Sequence, residues 1–155
     1  SITTLDVNLA RLLEPRAPRP DLRLKTVRLL RNAGIRTGVN CAPIVPGITD
    51  APAALDRLVK AAATAGAQNL WGNPVFLKPC SASVFLPFLE EHFPHLVEDY
   101  RRRFAKNGFV NKAYANRIAG LIAGLKKKHG ITTGEHHRKP DRRVLPEVEQ
   151  MRLFG

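Results

Sequence analysis

The chain has 155 residues, enough for one domain with a hydrophobic core, and its hydrophobic content of 44% excludes a disordered protein. No apolar run approaches the roughly 18 residues of a membrane span, and no secretory signal is visible. The two cysteines, Cys41 and Cys80, form neither a close-spaced metal motif nor a disulfide framework, which favours a reducing, cytoplasmic setting.

The charge is strongly basic and unevenly distributed. The net value is +12, with 14 lysines and arginines against 6 aspartates and glutamates in residues 98–155, and 11 against 7 in residues 1–97. A basic C-terminal third favours a polyanionic partner, most simply nucleic acid, although such charge also serves solubility alone. The opening "SITTLD" has no initiator methionine and suggests a fragment or a chain cut within a domain.

The first part of the chain alternates predicted strands and helices. Its β-branched residues predict a short strand over Ser1–Leu5, and "LDVNLARLLEP" predicts a short helix that stops before Pro15. The helical spacing of leucines predicts a helix from Leu22 to Asn32, capped by Gly34. The nearly continuous apolar run "IRTGVNCAPIV" predicts a strand buried on both faces.

A further helix and strand complete this pattern. Thr49 or Asp50 is the predicted N-cap of a helix that ends at Gly66, and "AQNLWGNPVFLKP" predicts the third strand. The alternation predicts an α/β fold with a parallel sheet and right-handed crossovers. A helical segment broken at Pro87 and Pro94 follows, then an amphipathic helix. We divide the chain into βα units over residues 1–80, a helical extension over 81–130 and a basic, flexible tail over 131–155.

Ligands of a parallel α/β sheet bind beyond the C-terminal ends of its strands. The predicted ends "ITTLD", "CAPIVPG" and "FLKPCS" offer hydroxyls, backbone groups, a lysine and two thiols, but no carboxylate pair for acid–base chemistry. No glycine-rich phosphate loop matches. The histidines lie outside these ends, so no metal site is expected; they are His92, His95, His129, His136 and His137.

The same segments resemble a known family. "SITTLD…LEPRAP", "AGIRTGVNCAPIVPGITD" and "AGAQNLWGNPVFLKP" are similar, in order and spacing, to the C-terminal half of radical S-adenosylmethionine (radical SAM) enzymes. The nearest branch is that of spore-photoproduct-lyase-related proteins, and the similarity spans residues 1–130. The resemblance implies a partial (βα)6 barrel, of which this chain matches strands four to six, plus extra C-terminal helices.

The resemblance also implies cofactors. In this family a 4Fe–4S cluster on a Cys-x-x-x-Cys-x-x-Cys loop binds S-adenosylmethionine (SAM), and its electron cleaves the sulfonium to give a 5′-deoxyadenosyl radical. This chain contains no such loop. The radical chemistry would therefore belong to a longer parent protein, or has been lost.

The resemblance places SAM at the strand ends. Hydroxyls of the first end would contact the ribose or the methionine portion, and the second end would line the adenine. The implied SAM-binding residues are Ser1, Thr3, Ala42, Pro43, Ile44, Gly47 and Leu77. The alternatives are the ordinary β-propensity of threonine and a strand end that simply turns.

Two residues at the third strand end, Lys78 and Cys80, can each be interpreted in two ways. Lys78 faces either a substrate phosphate or solvent. Cys80 either donates hydrogen to a substrate radical, as the lyase branch is thought to do with a cysteine, or is an incidental thiol. Cys41, which lies inside a strand, is predicted to be a small core residue.

Two further segments suggest macromolecular partners. "YRRRFAK" interleaves aromatic and basic residues, which predicts nucleic-acid contacts by Arg101, Arg102, Arg103 and Lys106. The alternative is a solvated helix face with Tyr100 and Phe104 packed inward. At the end of the chain, Gln150, Met151, Leu153 and Phe154 resemble the peptide by which bacterial repair proteins dock onto the sliding clamp, unless this segment folds back onto its own domain.

Together these features predict the C-terminal lobe of a radical SAM enzyme that acts on nucleic acid, with DNA photoproduct lyase-like repair as the leading activity. One alternative is a non-catalytic nucleic-acid or clamp-binding module. Another is a plain α/β domain with coincidental motifs. Open strand edges predict self-association if the chain is the whole molecule.

Overall fold

A computed structural model describes residues 1–131 of the chain. In these residues helices α1 (Val7–Leu13) and α2 (Pro20–Asn32) precede strand β1 (Gly38–Asn40), and helix α3 (Pro52–Thr64) lies between β1 and strand β2 (Asn69–Trp71). Helices α4 (Pro79–His92), α5 (Val97–Phe104) and α6 (Lys112–Lys128) follow, with a 3₁₀ turn at Pro94–Leu96 between α4 and α5. The fold is therefore mixed α/β and mostly helical.

The two strands form a parallel sheet, as predicted, and α3 provides the crossover between them. The register pairs Val39 with Leu70, and both residues are buried. Backbone bonding continues beyond the strands, because Ile44 N donates to the Asn73 carbonyl at 2.8 Å and Val75 N donates to the Ile44 carbonyl at 2.9 Å. The regular strands are nevertheless much shorter than the predicted runs of residues 35–45 and 67–79.

The predicted strand over Ser1–Leu5 is wrong in detail, because these residues form no regular strand. One backbone hydrogen bond, from Ile2 N to the Asn40 carbonyl at 2.9 Å, joins them to β1. Cys41 N donates to the Trp71 carbonyl, and successive residues of a strand direct their backbone groups to opposite sides. Residues 1–5 therefore lie along the edge of β1 that faces away from β2.

Local signals account for most helix limits. Asp6 caps α1 by accepting hydrogen bonds from Asn8 N and Leu9 N, both at 2.9 Å. Gly34 and Gly66 follow α2 and α3 with φ of +78° and +88°, which confirms the predicted cap at Gly34 and the predicted helix end at Gly66.

The predicted N-cap of α3 is wrong. Ala51 occupies that position and makes no side-chain cap, while Pro52 starts the helix. Thr49 and Asp50 instead accept hydrogen bonds from Val45 N and Gly47 N, each at 2.8 Å. These two side chains therefore stabilise the turn that precedes the helix.

The predicted break at Pro87 is also wrong, because α4 runs through this residue. Proline removes the N–H that would bond to the carbonyl of Ser83. Both residues are exposed, so water can solvate that carbonyl, while Leu89 anchors the helix with no solvent exposure. The second predicted break is confirmed, since α4 ends just before Pro94.

Two hydrophobic clusters hold the elements together. One joins the sheet, α3 and α6 around Leu55, Leu58 and Ile118, so the βα units and the helical extension share a core. The other joins α4 and α5 to the segments that follow the strands, through Val45 and Leu77. The strand ends are therefore fixed from the side of the helical extension.

Candidate functional site

A cleft of about 540 Å³ lies beyond the C-terminal ends of β1 and β2. Small-molecule sites commonly enclose roughly 300–1,000 Å³, so the volume suits such a ligand. Residues 1–5 contribute Thr3, the segment after β1 contributes Pro43 and Val45, and the segment after β2 contributes Val75 and Leu77. The three predicted strand ends thus converge on one site.

Helical residues close the rest of the cleft. The end of α1 contributes Leu12 and Leu13, and α4 contributes Val84, Phe85 and Phe88. Polar groups in the lining are few: the hydroxyls of Thr3 and Ser81 and the carboxylate of Glu14. This combination of apolar walls with a few polar groups is suited to a flat, largely apolar ligand that carries hydrogen-bonding groups.

The polar corner of the cleft belongs to a network of four residues, three of which contribute side chains and one its backbone carbonyl. Thr3 is 4% exposed, and its Oγ1 donates to Glu14 Oε2 at 3.1 Å. Arg23 forms an ion pair with Glu14 at 3.3 Å and donates to the Ser1 carbonyl at 2.7 Å. The network fixes the first segment against the α1–α2 loop, and it leaves the Thr3 hydroxyl oxygen as an acceptor at the cleft.

Pro43 and Val45 form one wall of the cleft, and the segment that carries them is anchored from behind. Pro43 and Val45 line the cleft, whereas Ile44 is 1% exposed and packs into the core on the other side. The Tyr100 hydroxyl donates to the Pro46 carbonyl at 2.6 Å, and burial raises the pKa of Tyr100 well above its usual range. The phenol therefore stays protonated and acts as a donor.

A second anchor joins this wall to α6 through Asp50. Its Oδ1 accepts from Gly47 N, and its Oδ2 accepts from the Tyr114 hydroxyl at 2.8 Å. Arg117 pairs with the same carboxylate at 3.4 Å. Burial and the hydrogen bond to Asp50 raise the pKa of Tyr114, so this phenol also remains a donor. The turn at Gly47, with φ of +75°, is thereby held to the helical extension.

The implied SAM residues do not all reach the cleft. Thr3, Pro43 and Leu77 line it, whereas Ser1 lines a separate cavity of about 430 Å³ together with Arg23. The other three, Ala42, Ile44 and Gly47, lie outside the lining.

Side chains alternate between the two faces of an extended backbone, so residues two apart share a face. This alternation explains in part which of the implied residues line the cleft. Pro43 and Val45 consequently face the cleft on either side of Ile44. Sequence reasoning missed Val45, although the two-residue period of side chains in a strand could have identified it from Pro43. It also missed Glu14, which lies in the segment "LEPRAP". It also missed Phe76.

Lys78 and Cys80, for which the sequence left two interpretations each, have different surroundings at the third strand end. Lys78 Nζ donates to the Asn107 carbonyl at 3.1 Å and lies 4.4 Å from the centre of the Phe109 ring. Cys80 is exposed in the first turn of α4 and lies outside the cleft lining. Cys41 is 1% exposed, which confirms its predicted core position, and burial raises the pKa of its thiol to about 12.

The arginines of α5 are paired with carboxylates. Arg101 contacts Glu90 and Glu98 at 2.8 and 2.7 Å, and Arg103 contacts Asp99 at 2.7 Å, as Arg102 does at 3.3 Å. Exposed ion pairs are worth only about 0.2–1 kcal/mol, so phosphate contact by these side chains remains a prediction. Lys106 is exposed.

Two other predictions near this segment have different outcomes. Tyr100 and Phe104 are buried, which confirms that these aromatic residues pack inward. The proposed clamp-binding residues, Gln150, Met151, Leu153 and Phe154, lie outside the described residues.

Within residues 1–131, no three histidine, cysteine, aspartate or glutamate side chains come together in a way that could hold a metal ion. His129 instead contacts Asp56 at 2.8 Å. No helix in this part of the chain is long and apolar enough to cross a membrane.

Comparisons with known proteins give relatives without a described function. No protein-family model matches the chain, and no solved structure matches it significantly. Uncharacterized proteins of Mycobacterium tuberculosis and Mycobacterium bovis are 29% identical over 149 residues, which cover 96% of this chain and 42% of theirs. An uncharacterized protein of Acidianus two-tailed virus is 36% identical over 76 residues, or 47% of this chain and 25% of that protein. The chain thus spans less than half the length of these relatives.

Proposed function

We propose that this chain is the C-terminal lobe of a radical SAM enzyme and that its cleft binds the adenosyl part of SAM. The position of the cleft carries this proposal, since parallel α/β sheets bind ligands where their strands end. The volume of about 540 Å³ can hold a nucleoside. Apolar walls at Pro43 and Val45 suit the faces of an adenine, and the buried Thr3 hydroxyl suits a ribose.

The spatial order of three segments supports the finer fold assignment. Residues 1–5 lie beside β1, β1 lies beside β2, and helices occupy both connections. Strands four to six of a partial (βα)6 barrel would have this arrangement, and we include that barrel in the proposal. The greater length of the mycobacterial relatives is compatible with a longer parent protein.

The described residues do not fit a 4Fe–4S cluster. Cys41 is buried and Cys80 is exposed, and residues 1–131 contain no cluster of metal-ligating side chains. The proposal therefore gives this lobe the binding and orientation of the adenosyl group, and assigns the cluster to the parent. Cys80 as a hydrogen donor remains a prediction.

Nucleic acid is the substrate class that the charge favours. Residues 1–131 hold 20 lysines and arginines against 9 aspartates and glutamates, a net of +11. We keep DNA photoproduct lyase-like repair as the leading activity of the parent. The same charge supports the second candidate, a non-catalytic nucleic-acid-binding module. Such a module would not bind an adenosyl group, which distinguishes it from the first candidate.

Binding of S-adenosylhomocysteine tests the proposal, because this compound retains the adenosyl group without the reactive sulfonium. Calorimetric titration of the full 155-residue chain should show saturable binding. Thr3→Val removes one hydroxyl and should weaken binding about 2- to 10-fold, the usual value of one hydrogen bond. The matched control Thr26→Val also removes one hydroxyl, but from the lining of the smaller cavity, and this variant should bind S-adenosylhomocysteine as tightly as the wild type. Absence of saturable binding, or equal losses in both variants, would overturn the adenosyl site.

A further inference from the structure

The loop between α5 and α6 docks onto the segment that follows β2. Leu77 N donates to the Gly108 carbonyl at 2.7 Å, and Lys78 Nζ donates to the Asn107 carbonyl at 3.1 Å. Gly108 has a φ of +77°, and a Cβ there would lie 2.4 Å from the Leu77 carbonyl oxygen. Only glycine permits this approach, so the position of the next residue, Phe109, is set by the backbone.

This docking brings two exposed aromatic rings together. The ring centres of Phe76 and Phe109 are 5.8 Å apart, and the rings are tilted by 36°. Phe76 is 56% exposed and Phe109 is 48% exposed. Keeping two phenyl rings in water forgoes hydrophobic stabilisation, so such a pair points to a contact with another molecule.

The rings are part of a charged surface at the mouth of the cleft. Phe76 lines the cleft, and the ammonium group of Lys78 lies 4.4 Å from the centre of the Phe109 ring. We call Phe76, Lys78 and Phe109 the aromatic platform. It combines flat π faces with a cation, in a region of the chain whose net charge is +11.

We infer that the aromatic platform binds an unpaired nucleobase of a single-stranded nucleic acid. Phenylalanine rings stack on bases without reading their hydrogen-bonding edges, and a neighbouring lysine neutralises a backbone phosphate. A base stacked on Phe76 would lie at the mouth of the proposed adenosyl site, which is where a base that undergoes chemistry has to be placed. The inference rests on the proposed function only in treating the strand as a substrate.

The platform is less suited to a protein partner. Stable protein interfaces bury about 1,000 Å² or more, whereas two phenyl rings and a lysine stem offer a small area. The positive charge of the region also favours a polyanion over an apolar surface. A polyanion with exposed bases can stack its bases on the two phenyl rings and place a phosphate beside the Lys78 ammonium group.

Binding of a fluorescein-labelled oligothymidine to the full chain, followed by anisotropy at low salt without SAM, tests the inference. Phe109→Ala should weaken binding about 5- to 100-fold, as is typical for the loss of one stacking ring. Phe109→Leu keeps an apolar side chain for the fold, and should lose nearly as much because it has no π face. The matched control Leu29→Ala, at a residue that is 58% exposed on α2, should bind like the wild type. Wild-type affinity in Phe109→Leu would overturn the inference.

The lysine and the strand provide independent tests. Lys78→Ala should reduce the slope of log affinity against log salt by about 0.7, whereas Lys60→Ala, an equal charge change on α3, should bind like the wild type. An abasic strand and a fully paired duplex should both bind more weakly, without dependence on Phe109. An abasic strand that binds as tightly as oligothymidine would overturn stacking. So would a dimer of the free protein that Phe109→Leu disperses, because the rings would then serve self-association.

The binding assay contains no adenosyl compound. Failure of stacking is therefore distinguishable from failure of the adenosyl site. Loss of S-adenosylhomocysteine binding with intact stacking would support the non-catalytic module instead.

Discussion

Replacing Gly108 by alanine would test how closely the α5–α6 loop approaches the segment after β2. A Cβ at this residue would lie 2.4 Å from the Leu77 carbonyl oxygen and 3.0 Å from its carbon. Gly34 has nearly the same φ, +78° against +77°, but a Cβ there meets no atom within 4 Å. The two alanine variants therefore separate the cost of the left-handed backbone from the cost of the contact.

The expected losses follow from these geometries. A left-handed alanine costs about 1–2 kcal/mol, and its smaller unfolded-state entropy returns about 0.4–1 kcal/mol. Gly34→Ala should thus lower the free energy of unfolding by about 1 kcal/mol. Gly108→Ala should also displace the loop and weaken the Leu77–Gly108 hydrogen bond, which is worth about 0.5–1.5 kcal/mol, so its total loss should be about 1.5–2.5 kcal/mol.

Urea unfolding followed by far-ultraviolet circular dichroism measures both losses in the full chain. In thermal scans each kcal/mol corresponds to about 2–4 °C for a protein of this size. Gly108→Ala should therefore melt several degrees below Gly34→Ala. Equal losses in the two variants would refute the argument that the loop is held in contact with the Leu77 carbonyl.

Three further predictions concern buried or paired groups. Tyr100→Phe removes a 2.6 Å hydrogen bond to a backbone carbonyl, and should lower the free energy of unfolding by about 1–3 kcal/mol in urea; a neutral effect would contradict the anchoring role. The hydrogen bond from Arg103 lowers the pKa of Asp99, so this carboxylate stabilises the fold above the unfolded pKa near 4 and stops doing so as the pH falls through its lower folded pKa. Asp99→Asn should accordingly flatten the acid side of a plot of melting temperature against pH, and an unchanged slope would count against the pair. Cys41 is buried with a pKa of about 12, whereas Cys80 is exposed. A thiol reagent at pH 8 should therefore modify one cysteine in the native protein and both in urea. Rapid modification of both cysteines in the native protein would show that the core is open.

Local chemistry made part of the fold predictable. Gly34 and Gly66 ended their helices as expected, because glycine readily adopts the left-handed conformation with which helices very commonly end. Thr49 and Asp50 have the right chemistry for an N-cap, yet their oxygens satisfy the preceding turn, which is a tertiary outcome. Pro87 is tolerated because its helix face is exposed, while the opposite face packs through Leu89, Phe85 and Leu86.

The candidate site was predictable only where it follows from strand order. The rule that parallel strands end at a common edge brought three predicted segments to one cleft, and the family resemblance singled out Thr3, Pro43 and Leu77 within them. Glu14 and Phe109 come from loops, and their positions depend on Arg23 and on the backbone of Gly108. No periodicity or spacing in the sequence encodes such docking, so these residues emerge only from the folded chain.

Glu14 lines both cavities, whereas the arginine that neutralises it lines only the smaller one. The side chain of Arg23 is 18% exposed, so the pair is partly shielded from water. A molecule entering the larger cleft therefore meets a balanced ion pair rather than a free negative charge. Losing the arginine would leave a bare carboxylate beside apolar walls and shift the preference of the cleft toward cations. The charge selectivity of this site can thus change through a residue that never touches its contents.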